Sequence, residues 1–337
     1  MAQVGNPAVD EAGSVRGGAA RARVASFLQR QGVLVALVLV GGFAAYRYPQ
    51  FLTENNLTNV LRQNSMLGLV ALGMTFVILT GGIDLSVGSL LAVAGVVAAH
   101  LAGHGLIVAL VAGVAFAGVL GLVNGIVIAK ARIQPFIVTL AMMIAARGLA
   151  LVYTGEQTVR VDRSAQGFTE LGRGTFDIGP LSLPVPVVVL VAAYLTGWLV
   201  LNHTRFGRHV FSIGDNEEAA RLMGLNVGRV TMGVYALSGA LAGLAGVILA
   251  SRLGAGQPVA GLGWELDAIA AVVVGGTLLT GGQGSALFTL VGVLLLGVIF
   301  NIFNLEGSIT PWWQQVLRGL ILLAVVVVQN RLSRRKK

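Results

Sequence analysis

Apolar residues are gathered along this chain into about ten runs, each long enough to cross a membrane. The runs do not alternate apolar and polar positions, so they predict helices rather than the strands of a barrel. A backbone in lipid must pair its N–H groups within its own segment, which also favours helices. The predicted fold class is therefore all-α, a polytopic transmembrane helical bundle. The predicted spans are 31–48, 63–80, 84–102, 105–129, 136–154, 183–202, 229–250, 265–280, 284–304 and 311–330.

The two ends of the chain are polar and basic. Residues 1–30 predict a disordered basic cytoplasmic tail, residues 31–330 a transmembrane domain, and residues 331–337 a basic cytoplasmic tail. A cleaved secretory signal with residues 33–46 as its apolar core is the alternative for the first run. Its polar lead would be long, and Arg47-Tyr48-Pro49 lacks a small-residue cleavage site, so a retained first span is favoured.

Turn-forming residues mark several span boundaries. Asp84 is predicted to cap the third span, because an Asp side chain accepts hydrogen bonds from the free N–H groups of a first helical turn. Pro135 suits the first turn of the fifth span. The string Leu79-Thr80-Gly81-Gly82 recurs as Leu279-Thr280-Gly281-Gly282, each time between two apolar spans. True duplication and chance similarity of Gly-rich turns explain this recurrence equally well.

Composition and charge indicate a membrane protein. Asp, Glu, Lys and Arg make up 11% of 337 residues, too few to cover a soluble protein of this size, and 47 Gly suit close helix contacts in a bilayer. The net charge of +9 follows from membrane topology rather than from nucleic-acid binding. One predicted face receives the N-terminal arginines, Lys130, Arg132, the segment 203–229 and the C-terminal tail. With an even number of spans, this asymmetry predicts both termini in the cytoplasm.

Several kinds of chemistry lack their residues in this sequence. There is no Cys, which excludes disulfides and thiolate catalysis, and the four His residues have no ligand-like spacing, so no metal is expected. The sequence has no Gly-x-x-x-x-Gly-Lys-Ser/Thr loop for ATP and no row of acidic residues for a proton relay. We therefore expect no enzyme activity and no cofactor. A transporter of this kind would draw its energy from another subunit or work downhill.

The hydrophilic segment 205–229 predicts a short cytoplasmic helix. Asp215 or Asn216 can cap this helix, Glu217 suits the positive end of its dipole, Arg221 the negative end, and Gly224 can end it. Two interpretations remain equal on physical grounds: a surface for a partner protein, or a helix lying among lipid headgroups. The candidate residues are Asp215, Asn216, Glu217, Glu218, Ala219, Ala220, Arg221, Met223 and Gly224.

Polar residues inside the spans form the second group of candidates. Arg147 and Arg318 are functional candidates by position, although a structural arginine, bonded to carbonyls of a neighbouring helix or snorkelling outward, is favoured for both. Glu265 and Asp267 are expected to cap the eighth span rather than bind substrate. For most of the uncharged polar residues in the spans, the simpler role is to form hydrogen bonds between helices. The candidates for a translocation path or its gating are Asp84, Ser86, Asn124, Thr139, Arg147, Thr280, Gly281 and Gly282.

Four motifs resemble the membrane permeases of ribose/xylose/galactose-type ABC importers. They are GGIDLSVGSL at 81–90, the segment 121–155 with Asn124-Gly125 and Pro135-Phe136-Ile137, IGDNEEAARLMGLNV at 213–227, and the Gly-rich turn 275–285. The resemblance covers about residues 50–330. It implies a transmembrane permease domain over 31–330 that forms the path for a monosaccharide, with ribose or a similar pentose favoured. It also implies that the helix near 215–224 docks on an ATPase.

The same resemblance implies partners and a location. Two copies of the permease, or this chain and a homologous permease, would pair in the cell inner membrane. Two ATP-binding-cassette ATPase domains would dock from the cytoplasm, and a periplasmic or tethered sugar-binding protein would deliver the substrate. Family members often have Gly-Gly-Asn where this chain has Gly214-Asp215-Asn216. A secondary transporter or facilitator of a small polar solute is the alternative, although it needs intramembrane ion-binding groups, in which these spans are poor.

Overall fold

The computed structural model describes residues 31–178 and 181–334, and it is built almost entirely of helices. The helices are α1 (Gln31–Arg47), α2 (Glu54–Leu79), α3 (Val87–Leu101), α4 (Leu106–Ala131), α5 (Pro135–Thr154), α6 (Gln166–Arg173), α7 (Val185–His203), α8 (Arg205–Asp215), α9 (Glu217–Leu222), α10 (Val227–Leu253), α11 (Trp264–Val274), α12 (Ala286–Glu306) and α13 (Pro311–Arg334). A 3₁₀ turn, Ala102–His104, extends α3. The predicted N-terminal tail lies outside the described residues.

Among the described residues, seven helices are long and apolar enough to cross a membrane, namely α2, α3 with its 3₁₀ extension, α4, α5, α7, α10 and α12. The predicted all-α, polytopic class is therefore confirmed. The other three predicted spans coincide with α1, α11 and α13, so the number of crossings and the side of the termini stay predictions. Helix α13 continues to Arg334, into the residues predicted as the C-terminal tail.

The predicted span 265–280 is wrong in its second half. Helix α11 has 11 residues, which rise about 16 Å, roughly half of a hydrocarbon core of about 30 Å. The helix ends because Gly276 adopts a positive φ of 87°, a conformation that leaves the helical path. Helix α2 differs in the opposite way, since it starts at Glu54 rather than at 63. Its polar first turns are held by Asn56, whose amide donates to Asn301 on α12 at 3.1 Å.

Helix α10 lies at the centre of the bundle, where it packs against α2, α3 and α4. Small residues recur every four positions along the facing side of α4, at Gly113, Ala117, Gly121 and Gly125. A methyl group on Gly125 would lie 2.7 Å from the Cα of Met232 on α10, so the two backbones are in contact there. Close approach of this kind is how helices associate in lipid, where burial of apolar area gives no advantage.

Short strands occur outside the helical bundle. Strand β1 (Val159–Arg160) pairs antiparallel with β4 (Ala255–Gly256), with Val159 opposite Gly256. Strands β2 (Thr175–Ile178) and β3 (Leu181–Pro184) form an antiparallel hairpin with Thr175 opposite Pro184. The β1–β4 pair fixes the start of the irregular segment between α10 and α11.

Candidate functional site

The predicted cytoplasmic helix is present as part of a capped helical segment. Thr204, Asn216 and Asn226 precede α8, α9 and α10, and each side chain accepts a hydrogen bond from the backbone N–H three residues later. The Asn216 oxygen accepts from Ala219 N at 2.9 Å. Asn216, and not Asp215, is therefore the cap of α9, while Asp215 ends α8. Gly224 follows α9 with a φ of 83°, which confirms its predicted role at the helix end.

Helix α9 has an anchored side and an outward side. Ala220 is fully buried, and Arg221 pairs with Glu217 one turn earlier at 2.6 Å. The last residue of the helix, Leu222, is 85% exposed, and Met223 after it is 70% exposed. A helix that keeps its single buried side chain on the bundle and holds two large apolar side chains outward presents a small, fixed hydrophobic surface.

Three of the residues predicted for a path, Asp84, Ser86 and Asn124, come together in one buried hydrogen-bonded network, and a fourth, Thr139, is bonded to the backbone of the same turn. Asp84 accepts from the Ser86 N–H at 3.0 Å, from the Ser86 hydroxyl at 2.6 Å, and from the Ser238 hydroxyl of α10 at 2.9 Å. The amide of Asn124 on α4 donates to the Ser86 oxygen at 3.0 Å. Thr139 on α5 donates to the carbonyl of Ile83 at 3.2 Å. The turn between α2 and α3 is thus tied to α4, α5 and α10.

The prediction that Asp84 caps α3 is wrong. Helix α3 starts at Val87, and the Asp84 carboxylate accepts hydrogen bonds from Ser86 and from Ser238 of α10, not from the first turn of α3. Asp84, Ser86, Asn124 and Thr139 are all fully buried. In this conformation the network holds helices together and does not line an open channel. Its carboxylate is satisfied by three donors, which lowers the cost of placing it away from water.

Arg147 lies apart from this network and holds an irregular segment. Its NH1 group on α5 donates to the carbonyl of Pro258 at 2.6 Å and to that of Ala260 at 2.7 Å. Residues 254–263 between α10 and α11 run along α3, since a methyl group on Gly256 would lie 2.7 Å from the Cα of Val96. Non-helical backbone among spans needs partners from protein. Arg147 is thus bonded to backbone carbonyls, as the favoured interpretation expected, but they belong to an irregular segment and not to a neighbouring helix.

Thr280, Gly281 and Gly282 lie in the turn between α11 and α12, apart from the Asp84 network and from Arg147. Thr280 is exposed, and both glycines have positive φ, 86° and 75°. The Gly282 N–H donates to the carbonyl of Leu79 at 3.0 Å. The two Leu-Thr-Gly-Gly strings are therefore in direct contact with one another, which their similarity alone did not predict.

Similarity to known proteins identifies the family of this chain. A family model described as branched-chain amino acid transport system / permease component matches residues 56–326. The chain belongs to this permease family. Ribose import permease protein RbsC of Escherichia coli K12 is 45% identical over 311 residues, 91% of this chain and 95% of the relative. RbsC of Bacillus subtilis 168 is 43% identical over 308 residues, 91% of this chain and 94% of the relative.

L-arabinose ABC transporter permease protein AraH of Azospirillum brasilense is 37% identical over 320 residues, 94% of this chain and 92% of the relative. No solved structure matches the chain. The resemblance inferred from four motifs is thus confirmed at family level, and this permease is a multi-pass protein of the cell inner membrane.

Arg318 and Asp267 form an ion pair in the permease that the sequence did not predict. Arg318 on α13 donates to the Asp267 carboxylate on α11 at 3.1 Å, and its guanidinium carbon lies 4.2 Å from the ring centre of Phe300 on α12. The residue before α11 is Gly263. The expected capping role is wrong for Asp267, because its carboxylate is used between helices.

Ser238 is the member of the buried network that the sequence did not indicate, and Tyr235 lies beside that network without a hydrogen bond to it. Both are in the middle of α10, three residues apart and on one face, with Tyr235 packed against Gly82. A Ser or Tyr in an apolar run carries little signal, although the i, i+3 spacing in a Gly-rich helix places both on the packed side. Within the described residues, no three His, Asp or Glu side chains gather into a metal-binding group.

Proposed function

We propose that this permease is the membrane-spanning subunit of an ATP-binding-cassette importer and forms the translocation path for a monosaccharide, with ribose favoured. A substrate-binding protein on the outer face delivers the sugar, and a separate ATPase subunit supplies the energy. The similarity to ribose import permeases over about nine tenths of both chains carries this proposal. Two copies of the chain, or this chain and a homologous permease, pair to enclose the path.

The sugar is preferred over an amino acid as substrate on the basis of the relatives. The family description refers to branched-chain amino acid transport, but it covers the fold of a whole family. The relatives with 37–45% identity over most of their length are named for ribose or arabinose import. Relatives this similar over the full length are a closer guide to substrate class than the family description.

Helix α9 is proposed as the docking element for the ATPase subunit. A partner must recognise something that the isolated permease leaves open, and Leu222 and Met223 are the exposed apolar residues of this segment. The buried Ala220 fixes the helix on the bundle, so a load on its outward side moves the helix as a unit. The alternative is that α9 lies among lipid headgroups, and the docking experiment below distinguishes the two interpretations.

The remaining assignments follow from the same proposal. Residues 1–30 and 331–337 act as basic cytoplasmic tails, and residues 31–330 form the permease domain. The network around Asp84, Ser86, Asn124 and Thr139 holds the spans beside the path in one of its states. Arg147 supports the segment 254–263, and Thr280 to Gly282 lie at the cytoplasmic turn.

Uptake in vesicles tests the proposed function. The permease is reconstituted in proteoliposomes with the ATPase subunit and sugar-binding protein of its own organism, and radiolabelled ribose, arabinose, xylose, galactose and leucine are compared. We expect accumulation of ribose that requires ATP and all three components. Accumulation by the permease alone would show a self-powered transporter, and uptake of leucine but no sugar would overturn the substrate class.

Docking is tested with the double variant Leu222→Ser, Met223→Ser. Both side chains are exposed, so folding should be unaffected, while co-purification of the ATPase subunit should fall by about tenfold or more, as expected for loss of two central apolar contacts. Leu253→Ser is the control, because Leu253 is a 46%-exposed apolar residue at the other end of α10. Unchanged co-purification would overturn the docking role and leave the lipid-associated helix as the interpretation.

A further inference from the structure

Three segments of backbone meet beside the cytoplasmic helices with no side chain between them. They are the end of α8 at Gly214, the end of α2 at Leu79 to Gly81, and the turn at Gly281 and Gly282. A methyl group on Gly281 would lie 2.8 Å from the Gly81 nitrogen and 3.0 Å from the Gly214 Cα. A methyl group on Gly214 would collide with the carbonyl of Leu79 and the nitrogen of Gly282. We call this contact the glycine joint.

Helix α8 is fixed to α2 along its length as well as at the joint. Near its first turn, the ring of Phe206 lies 6.5 Å from the ring of Phe76 on α2, measured between centroids. Val210 and Ile213 of α8 are buried between these two points. At its far end, α8 continues into α9 through Asn216 alone. A displacement of α9 therefore reaches α8 within one residue, and α8 cannot move without α2.

Because the backbones touch directly at the glycine joint, a displacement of α8 is passed to its neighbours with little loss. Side chains at an interface can change rotamer and absorb a small shift, whereas closely packed main chain has no such freedom. The joint also touches two different spans at once, because Leu79 ends α2 and Gly282 lies in the turn that leads into α12. Its hydrogen bond, from Gly282 N to Leu79 O at 3.0 Å, holds those two chain segments together.

We propose that Gly214 is a positioning residue that passes movement of α9 to α2 and to the turn before α12 during each transport cycle. This inference rests on the proposed function, since it takes α9 as the element on which the ATPase acts. Only glycine at 214 allows the contact, because any Cβ would separate α8 from both turns. The two Leu-Thr-Gly-Gly strings then have one mechanical role, as the two surfaces that receive the movement.

The test measures coupling in the complete importer. Gly214→Ala and the control Gly228→Ala are each reconstituted with the ATPase subunit and the sugar-binding protein, and sugar uptake and ATP hydrolysis are recorded together. Gly228 is two residues into α10, and a methyl group there makes ordinary contact with Ala129 at 3.5 Å. We expect Gly214→Ala to lower sugar imported per ATP by about tenfold, as overpacking of a close contact implies, with normal co-purification of the ATPase subunit. Gly228→Ala should match the wild type.

A second variant keeps the test decisive if Gly214→Ala does not fold. Two glycines inserted between Asp215 and Asn216 leave the joint unchanged but loosen its connection to α9, so docking should persist while coupling is lost. The matched insertion after Gly224, on the α10 side of α9, should retain most of the coupling. Normal coupling in Gly214→Ala or in the first insertion, or equal loss in both insertions, would overturn the proposal. Failure of the wild-type importer to use ATP would instead overturn the proposed function.

Discussion

The contact between Arg147 and the segment 254–263 makes a prediction with a definite size. One nitrogen of the guanidinium donates to the carbonyls of Pro258 and Ala260, and these two bonds tie α5 to an irregular stretch of backbone. Arg147→Met removes both donors and the charge but keeps an unbranched apolar side chain. Arg147→Lys keeps the charge but replaces the planar group with an ammonium on a shorter side chain.

The magnitude follows from the number of bonds. Hydrogen bonds between helices in membrane proteins contribute about 0.6 to 1.7 kcal/mol each, so two of them give roughly 1 to 3 kcal/mol. Removing a half-buried cation relieves part of its desolvation, which offsets some of that loss. We expect about 1.4 kcal/mol net for Arg147→Met, which makes opening of the segment about tenfold more frequent. Arg147→Lys should lie between this variant and the wild type.

Hydrogen exchange read by mass spectrometry on peptides that cover residues 255–264 measures this opening. Two amides report it directly, since Ala260 N donates to Gln257 O at 3.1 Å and Trp264 N to Gly261 O at 3.1 Å. Arg163→Met is the control, because Arg163 is an exposed arginine. If Arg147→Met and Arg163→Met exchange at the same rate in this peptide, Arg147 does not hold the segment and the reasoning fails.

Three further stability predictions use the detergent-solubilised permease. Asp84→Ala should lower Tm more than Asp84→Asn, because the amide oxygen of Asn still accepts from some of the three donors; equal Tm values would argue against the network. Gly246→Ala should lower Tm, since its methyl group would collide with the Leu91 carbonyl, whereas Gly118→Ala, with 3.5 Å to its nearest neighbour, should keep or raise it. In SDS-titrated unfolding, Asp267→Asn should lower the free energy of unfolding more than Asp267→Asn combined with Arg318→Met, because the single change leaves the Arg318 cation unpaired. A larger loss of unfolding free energy in the double variant would exclude a stabilising ion pair.

The sequence predicted the helical class well because lipid leaves few alternatives. Each predicted span has a helix at its place, and Pro135 is in the first turn of α5 as expected. The cap of α9 and its end at Gly224 were also visible, since both depend on residues within one turn of the helix. Capping and helix-end rules depend only on residues close in sequence, so they apply without knowing which helices pack together.

Features that depend on distant contacts were predicted less well. The sequence could not show that α11 is half-length, because the apolar run continues through Gly275 and Gly276 and only the backbone reveals where the helix ends. Asp84 and Asp267 each looked like helix caps by position, yet both carboxylates bond to residues far along the chain, Ser238 and Arg318. A carboxylate near a helix start can cap that helix or bond to a residue of another helix, and the packing of the helices decides which occurs.

The turn between α2 and α3 joins the two parts of the candidate site. Its first residues contact α8 and the turn at Gly282, while Asp84, two residues after Gly82, is bonded to Ser238 on α10. Helices α3, α4 and α10 are held together by that network and by backbone contact, so they should move as one body. Helix α2 also contacts α10 directly, since a methyl group on Gly73 would lie 3.0 Å from the Cα of Ser238, so a shift that α8 imposes on α2 reaches α10 through this contact as well as through residues 80–83. That short stretch contains Gly81 with a φ of 79° followed by Gly82, a backbone that can adjust to the shift more easily than the packed helices.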